Sequence, residues 1–203
     1  MKHILEAAAV AVLLTSVATR PATADACEER FVRLLVDGND SGPVKIHVTQ
    51  EIKGAPVTEN WFYQVSPGHW MTEIITPAGQ PWVLTYDDVM YTSPDKGETW
   101  TKLRDLNSDA NADGAKADLM ENAETARNAA CGTDELDGVA YETVEADYDT
   151  LQNFKSENHH KYWVHPDTGF IAKAVYELKA ESFESLTTQL IEAVPDLTLP
   201  TPE

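Results

Sequence analysis

The feature that most constrains the fold of this chain is a two-residue alternation of apolar and polar side chains between residues 44 and 52. The apolar positions are Val44, Ile46, Val48 and Ile52, and the polar ones between them include Lys45, His47, Thr49 and Glu51. Successive side chains of a β-strand point to opposite faces, so this period produces one apolar and one polar face. The pattern is typical of an antiparallel sheet with one face packed on a core and the other in water.

Turn signals then divide the chain up to residue 103 into further short segments rich in aromatic residues. The turns are Gly54-Ala55-Pro56, Ser66-Pro67-Gly68, Pro77-Ala78-Gly79, Asp87-Asp88 and Ser93-Pro94-Asp95-Lys96-Gly97. Strands that recur about every 8–12 residues with turns between them indicate an antiparallel meander. After Asp137-Gly138 the pattern resumes, with strands predicted at 139–148, 161–165, 170–178 and 183–194. The last of these is assigned as a strand rather than a helix because Thr187, Thr188 and Ile191 are β-branched.

One segment breaks the strand pattern in the middle of the chain. Residues 115–130 are strong helix formers, and Leu119, Ala123 and Ala126 follow a spacing of three to four. They predict a single main helix that ends at Cys131, with Gly132 as its stop. The fold class is therefore α+β and mostly β, with about eight to ten antiparallel strands and one helix. Residues 25–203 are predicted to form one domain, with an extended proline-rich tail at 195–203.

The N-terminus carries the pattern of an export signal. Lys2 is followed by an apolar run from Ala7 to Leu14, and Ala22-Thr23-Ala24 fits the small-x-small rule for cleavage. Residues 1–24 are therefore predicted to be a signal peptide, and the mature protein to be periplasmic or secreted. Cleavage after Ala26 fits the rule as well, and a buried N-terminal helix is the alternative.

The charge balance restricts the partners of the chain. It has 34 Asp and Glu against 15 Lys and Arg, a formal net charge of −19. Nucleic acids and anionic membrane surfaces attract clusters of Lys and Arg, so neither is an expected partner. No window holds the roughly 18 apolar residues that a transmembrane helix needs. The oligomeric state is left open by the sequence.

The two cysteines lie far apart in the chain, at Cys27 and Cys131. Because an exported chain meets an oxidising compartment, this even count favours one disulfide between them. The alternative is a lipoprotein acylated on Cys27, but Asp25 and Ala24 fit a lipobox poorly.

A calcium-type motif precedes the predicted helix. Residues 109–114 follow the pattern Asp-x-Asn-x-Asp-Gly, the first half of an EF-hand loop. Asp109, Asn111 and Asp113 are the candidate ligands, and Glu121 stands one position after the usual bidentate glutamate. The alternative is an acidic loop that caps the helix. Calcium is thus the one candidate cofactor.

Catalytic signatures are weak. The chain contains no Gly-x-Ser-x-Gly elbow, no glycine-rich phosphate loop and no His-Glu-x-x-His motif. His159, His160 and His165 are predicted to be surface histidines of one strand, because their spacing cannot close a metal site. The sequence therefore predicts that the protein is not an enzyme.

Two segments resemble a known family. Residues 132–139 (GTDELDGV) and 162–170 (YWVHPDTGF) are similar to hairpin segments of the lipoprotein-localisation carriers of the LolA and LolB type and of the mycobacterial glycolipid carriers. The resemblance implies a strongly curved antiparallel sheet, an incomplete barrel wrapped around the helix. It further implies a non-enzymatic periplasmic carrier whose concave face binds a lipid or the acyl chain of a lipidated protein.

The aromatic residues of the predicted strands are the candidates for lining such a concave face. We expect five of them to point inward: Trp61, Tyr63, Trp70, Trp82 and Trp163. The alternative is that these side chains fill the interior, which would make the protein an envelope structural or interaction module.

Overall fold

The computed structural model describes residues 24–39, 42–152 and 154–202, which form two helices and one sheet. The helices are α1 (Ala24–Asp37) and α2 (Ser108–Ala123). The strands are β1 (Val44–Ile52), β2 (Thr58–Ser66), β3 (His69–Thr76), β4 (Trp82–Tyr86), β5 (Val89–Ser93), β6 (Thr101–Asp105), β7 (Arg127–Leu136), β8 (Val139–Thr150), β9 (Ser156–Val164), β10 (Ile171–Ala180) and β11 (Phe183–Ala193). This architecture confirms the predicted mostly-β α+β class.

All eleven strands belong to one curved antiparallel sheet in the order β6-β5-β4-β3-β2-β1-β11-β10-β9-β8-β7. Strands β6 and β7 do not pair with each other, so the barrel is incomplete, as the resemblance implies. The two halves of the chain are joined by the pairing of β1 with β11, in which Ile46 lies opposite Ile191. Residues that pair across antiparallel strands share a face, so this register defines an inner face with Ile46 and an outer face with Lys45 and His47.

The core lies between α1 and the inner face. Phe31, with no exposed surface, and Leu35 project from α1 one helical turn apart. Around them pack buried residues of β8, β9 and β10, together with Ala123 of α2: Ala123, Val144, Ala146, Tyr148, Tyr162, Val164, Ile171 and Ala174. The phenyl ring of Phe31 contacts the rings of both Tyr148 and Tyr162. Helix α1 is therefore the main covering of the sheet.

The predicted helix at 115–130 is wrong at both ends. Helix α2 begins at Ser108, because the Asn107 side chain caps it by accepting a hydrogen bond from the Ala110 amide at 3.1 Å. It ends at Ala123, and residues 127–136 are strand β7, paired with β8 beyond a bulge at which Asn128 has a positive φ. The alanines at 129 and 130 favour a helix locally, but ladder hydrogen bonds to β8 override that preference.

Helix α1 is the second departure from the sequence prediction, which expected one main helix. It begins at Ala24, the last residue of the predicted signal peptide, and residues 1–23 lie outside the described residues. The strand assigned at 183–194 is confirmed as β11, and the eleven strands exceed the predicted eight to ten. None of the helices within the described residues is long and apolar enough to cross a membrane.

Cys27 and Cys131 form the predicted disulfide, with their Cα atoms 5.6 Å apart. The bond joins α1 to the edge strand β7, rather than to the end of the central helix as the sequence suggested. Cys27 is buried, and Phe31 follows it at i+4 on the helix face that packs on the sheet. The disulfide therefore ties α1 to the sheet beside the core.

Candidate ligand-binding cavity

A cavity of about 210 Å³ lies between the C-terminal half of α1 and the inner face. Its lining is made of apolar and neutral polar residues only: Leu34, Leu35, Gly38, Asn39, Val44, Ile46, Gln64, Tyr162, Ile171, Tyr176, Gln189 and Ile191. No charged side chain is among these residues, although 24% of the chain is charged. The cavity can therefore accommodate an apolar group without desolvating an ion.

The end of α1 is fixed over this cavity by Asn39. Gly38, with a φ of 60°, ends the helix and allows the chain to turn. The Asn39 side chain then donates to the Ile171 carbonyl at 2.9 Å and accepts from the Ile171 amide at 2.7 Å. This double hydrogen bond replaces a ladder partner for the start of β10, and it holds Leu34 and Leu35 above the strands.

Beyond the cavity, the inner face continues through β2 and β3 toward β4, where Thr85 is fully buried. Helix α1 packs mainly against β7, β8 and α2, whereas the inner face of β1 to β3 is half-buried. The register places Phe62 opposite Ile46, and Trp70 two strands away opposite Gln64. The rings of Phe62 and Trp70 lie 5.7 Å apart. Phe62 and Trp70 therefore extend the apolar face beside two residues of the cavity lining, Ile46 and Gln64.

Trp70 is the only one of the five predicted lining residues that lies on the inner face. Trp61 pairs with His47 and Tyr63 with Lys45, so both belong to the outer face, where Lys45 Nζ lies 3.8 Å from the Trp61 ring centroid. The Tyr63 hydroxyl donates to Glu73, and burial together with that carboxylate raises the pKa of Tyr63 to about 12. The inward orientation expected for Trp61 and Tyr63 is wrong, because the paired positions of β1 face away from α1.

Trp82 and Trp163 are also on the outer face. Trp82 shares its face with Leu84, which pairs with Met71 and so with the outer side of β3, and its ring lies against Gly97. Trp163 pairs with Lys173, whose Nζ lies 4.3 Å from its ring centroid, and its indole N–H donates to Asp134 at 3.0 Å. The inward orientation predicted for these two side chains is likewise wrong. The period of two identifies two faces but not which one a helix will cover.

A polar cluster on the inner face, formed by the buried Tyr148 and Tyr162 with the half-buried His160 and Tyr176, was missed by the sequence prediction. His160 lies between two tyrosines, with its Nε2 3.1 Å from the Tyr148 hydroxyl and its Nδ1 3.2 Å from the Tyr162 hydroxyl. The Tyr176 ring stacks 4.2 Å from the imidazole. Burial lowers the pKa of His160 to about 3 and raises the pKa values of all three tyrosines. His160 is thus neutral and is not the surface histidine that was expected. The sequence did contain a signal for its position, because His160, Tyr162 and Val164 alternate along one strand and therefore share a face.

The residues of the calcium-type motif do not form a loop. Asp109, Asn111 and Asp113 lie in the first turns of α2, and Glu121, in its last turn, accepts a hydrogen bond from the Gln152 amide. Helical geometry puts Asp109 and Asp113 on one face and Asn111 on another. Over the ranges that the structure describes, no group of three or more His, Cys, Asp or Glu is arranged to hold a metal ion. The prediction that these residues form an EF-hand loop is therefore wrong.

Calcium binding by Asp109, Asn111, Asp113 and Glu121 stays a prediction, which now requires the start of α2 to unwind. If it occurs, millimolar calcium raises the melting temperature more than millimolar magnesium does, and Asp113→Ala removes that difference. Equal shifts with the two cations would contradict it, leaving Asp109 and Asp113 as residues that favour the positive end of the helix dipole.

A larger groove of about 650 Å³ crosses the outer face, but its chemistry is different. Charged side chains dominate its lining, including Glu51, Lys53, Arg127, Asp147, Glu157, Glu177, Lys179 and Glu184. Several are already paired, as Lys53 is with Glu184 at 2.8 Å and His159 with Asp147 at 2.7 Å. An apolar ligand would desolvate these groups at a cost, so the neutral inner cavity is the better candidate site.

Comparison with known proteins gives similarity at the level of solved structures. The chain is similar to a LolA superfamily protein from Nitrosomonas europaea, with 12% identity, a TM-score of 0.41 and coverage of 88% of this chain and 96% of that one. It is also similar to a domain from Vibrio parahaemolyticus described as an outer membrane lipoprotein-sorting protein, with 10% identity, a TM-score of 0.34 and coverage of 84% and 92%. These neighbours are of the kind that the sequence resembles. No family model and no curated protein matches the chain.

Proposed function

We propose that this protein is a non-enzymatic carrier or binding protein for an apolar ligand, a lipid or the acyl chain of a lipidated protein. The observation that carries the proposal is the uncharged cavity under α1, whose lining residues Ile46 and Gln64 pair with the half-buried Phe62 and Trp70 of the same face. The chain has a net charge of −19, so a lining that contains no charged side chain differs from the rest of the molecule. Apolar groups enter such a site because they leave water.

Binding without catalysis is supported by the chemistry of the lining. Its polar groups are the amides of Asn39, Gln64 and Gln189 and the hydroxyls of Tyr162 and Tyr176. Burial raises the pKa values of both tyrosines, so their hydroxyls stay protonated and serve as hydrogen-bonding groups rather than bases. Such a set can orient a ligand but supplies no strong nucleophile or general base.

The proposed location is the periplasm or another oxidising compartment outside the cytoplasm. The disulfide between Cys27 and Cys131 supports it, since such bonds persist where the environment is oxidising. The signal peptide predicted at residues 1–24 agrees with the same location.

Filling the cavity tests the function directly. Ile191→Trp places a large ring in the lining, whereas Leu190→Trp places it on the outer face, where Leu190 is 47% exposed. With phenylnaphthylamine as an uncharged fluorescent probe, we expect saturable binding to the wild type. Ile191→Trp should weaken it about tenfold or more, a loss of about 1.4 kcal/mol, and Leu190→Trp should leave it unchanged.

The second candidate function is an interaction module whose core holds no ligand. It is favoured by the size of the cavity, since ligand sites usually measure about 300–1,000 Å³. Absence of saturable probe binding to the wild type, or equal binding by both tryptophan variants, would reject the carrier function and support this candidate.

A further inference from the structure

Resting on the proposed function, the geometry points to a ligand of a narrower class. We infer that the cavity selects an uncharged amphiphile, an alkyl chain that carries a hydrogen-bonding group such as a glycerol ester or an amide. The side-chain amides of Gln64 and Gln189 recognise that group. Ionised fatty acids and phosphate-bearing lipids are discriminated against.

The first step is the absence of any counter-ion in the lining. The residues around the cavity include no Lys, Arg or His that could neutralise a carboxylate or a phosphate. The titratable groups of the lining are the hydroxyls of Tyr162 and Tyr176, which carry no positive charge, and the two nitrogens of His160 on the same face are already engaged by Tyr148 and Tyr162. Moving a neutral polar group without a hydrogen-bond partner into an apolar site costs on the order of 2–7 kcal/mol. Moving an unpaired anion there costs more. The net charge of −19 adds long-range repulsion of anions.

The second step is the unused hydrogen-bonding capacity of two amides. Gln189 Oε1 accepts from the Tyr176 hydroxyl at 3.2 Å, which leaves the amino group of Gln189 without a hydrogen bond inside the described ranges. The Gln64 side chain, which also lines the cavity, forms no hydrogen bond within the described ranges. Both side chains are half-buried and neither is among the fully buried polar groups without a partner, so these amides are free to hydrogen-bond with a neutral polar group of the ligand.

The third step is how the register arranges these groups. Gln64 pairs with Val44 on β1, and Gln189 pairs with Val48 of the same strand. Between them lies Ile46, opposite Ile191. The lining is therefore apolar at its centre with an amide on either side, which matches an alkyl segment next to an ester or amide group rather than a plain hydrocarbon.

The test compares monooctanoylglycerol with octanoate at neutral pH, two probes with the same chain and different head groups. Isothermal titration of the wild type should show binding of the glyceride at least about tenfold tighter than that of octanoate. The double variant Gln64→Leu/Gln189→Leu keeps the volume and removes the amides. We expect the ratio of its glyceride affinity to its phenylnaphthylamine affinity to fall about tenfold.

Gln50→Leu is the matched control. Gln50 lies on the same inner face, on β1 between β2 and β11, but its side chain donates to Thr187 at 3.3 Å and it does not line the cavity. It should leave glyceride binding unchanged. Equal binding of octanoate and glyceride by the wild type, or undiminished glyceride binding by the double variant, overturns the inference while the carrier function stands. If the wild type binds neither phenylnaphthylamine nor the glyceride, the proposed function itself fails.

Discussion

Removal of the disulfide, by Cys27→Ala with Cys131→Ala, is expected to lower the free energy of unfolding by about 4–5 kcal/mol. The bond closes a loop with a sequence separation of 104 residues, and in the chain-entropy model a loop of that length restricts the unfolded chain by about this amount. It also anchors α1, whose Phe31 and Leu35 cover the inner face. Urea denaturation followed by circular dichroism measures the difference.

The wild type under reducing conditions is the control for this experiment, because it loses the same bond without a change of side chain. We expect the reduced wild type and the alanine variant to unfold at similar urea concentrations, both well below the oxidised protein. A variant within about 1 kcal/mol of the oxidised wild type would contradict the prediction, since it would show that packing of α1 alone holds the helix in place.

Acid should destabilise the wild type through His160 in a pH range where most carboxyl groups are still ionised. The pKa of His160 is lowered from 6.5 to about 3 in the folded protein, so between those values the unfolded chain binds the proton and the folded one does not. The stabilisation is complete above pH 6.5 and is lost as the pH falls. We expect the free energy of unfolding to decrease by about 2–3 kcal/mol between pH 7 and pH 4.5 from this group.

The variant that isolates this effect is His160→Gln. Glutamine can hydrogen-bond with Tyr148 and Tyr162 but does not titrate, so its stability should change little over the same interval even if its absolute value is lower. His159→Gln is the matched control, because the neighbouring His159 lies on the outer face beside Asp147. It should retain most of the pH dependence of the wild type, because burial is the larger cause that lowers the pKa of His160 and the charge of His159 is the smaller one. A His160→Gln protein as acid-sensitive as the wild type would contradict the lowered pKa of His160.

The groups around His160 define the pH range of the experiment. Tyr148, Tyr162 and Tyr176 stay neutral throughout, and the positive charge of His159 lowers the pKa of His160 further. Carboxyl groups whose pKa values are lowered, such as those of Asp134 and Asp147, lose their contribution only below their ordinary value of 3.8. The interval above pH 4.5 therefore reports mainly on histidine.

Local pattern alone was enough to predict most of the strands and the pairing of the cysteines. Alternation at Val44, Ile46 and Val48 requires a two-faced strand whatever its neighbours are, and glycine and proline turns limit each strand to a few residues. With only Cys27 and Cys131 present, one intramolecular disulfide was the sole pairing to consider. These properties are local or combinatorial, so they do not depend on the way the sheet is assembled.

The site, in contrast, was decided by tertiary structure. Alternation shows that Ile46 and Lys45 face opposite ways, but only the pairing of β1 with β11 and the position of α1 determine which face is enclosed. For this reason Trp70 was placed correctly and Trp61 was not. His160 is half-buried because the pairing of β9 with β8 and β10 brings Tyr148 and Tyr176 of the neighbouring strands to its ring, beside Tyr162 of its own strand. The helix-forming residues after Ala126 became strand β7 because pairing with β8 satisfies their backbone groups, and no local preference of about 1 kcal/mol or less can outweigh a ladder of hydrogen bonds.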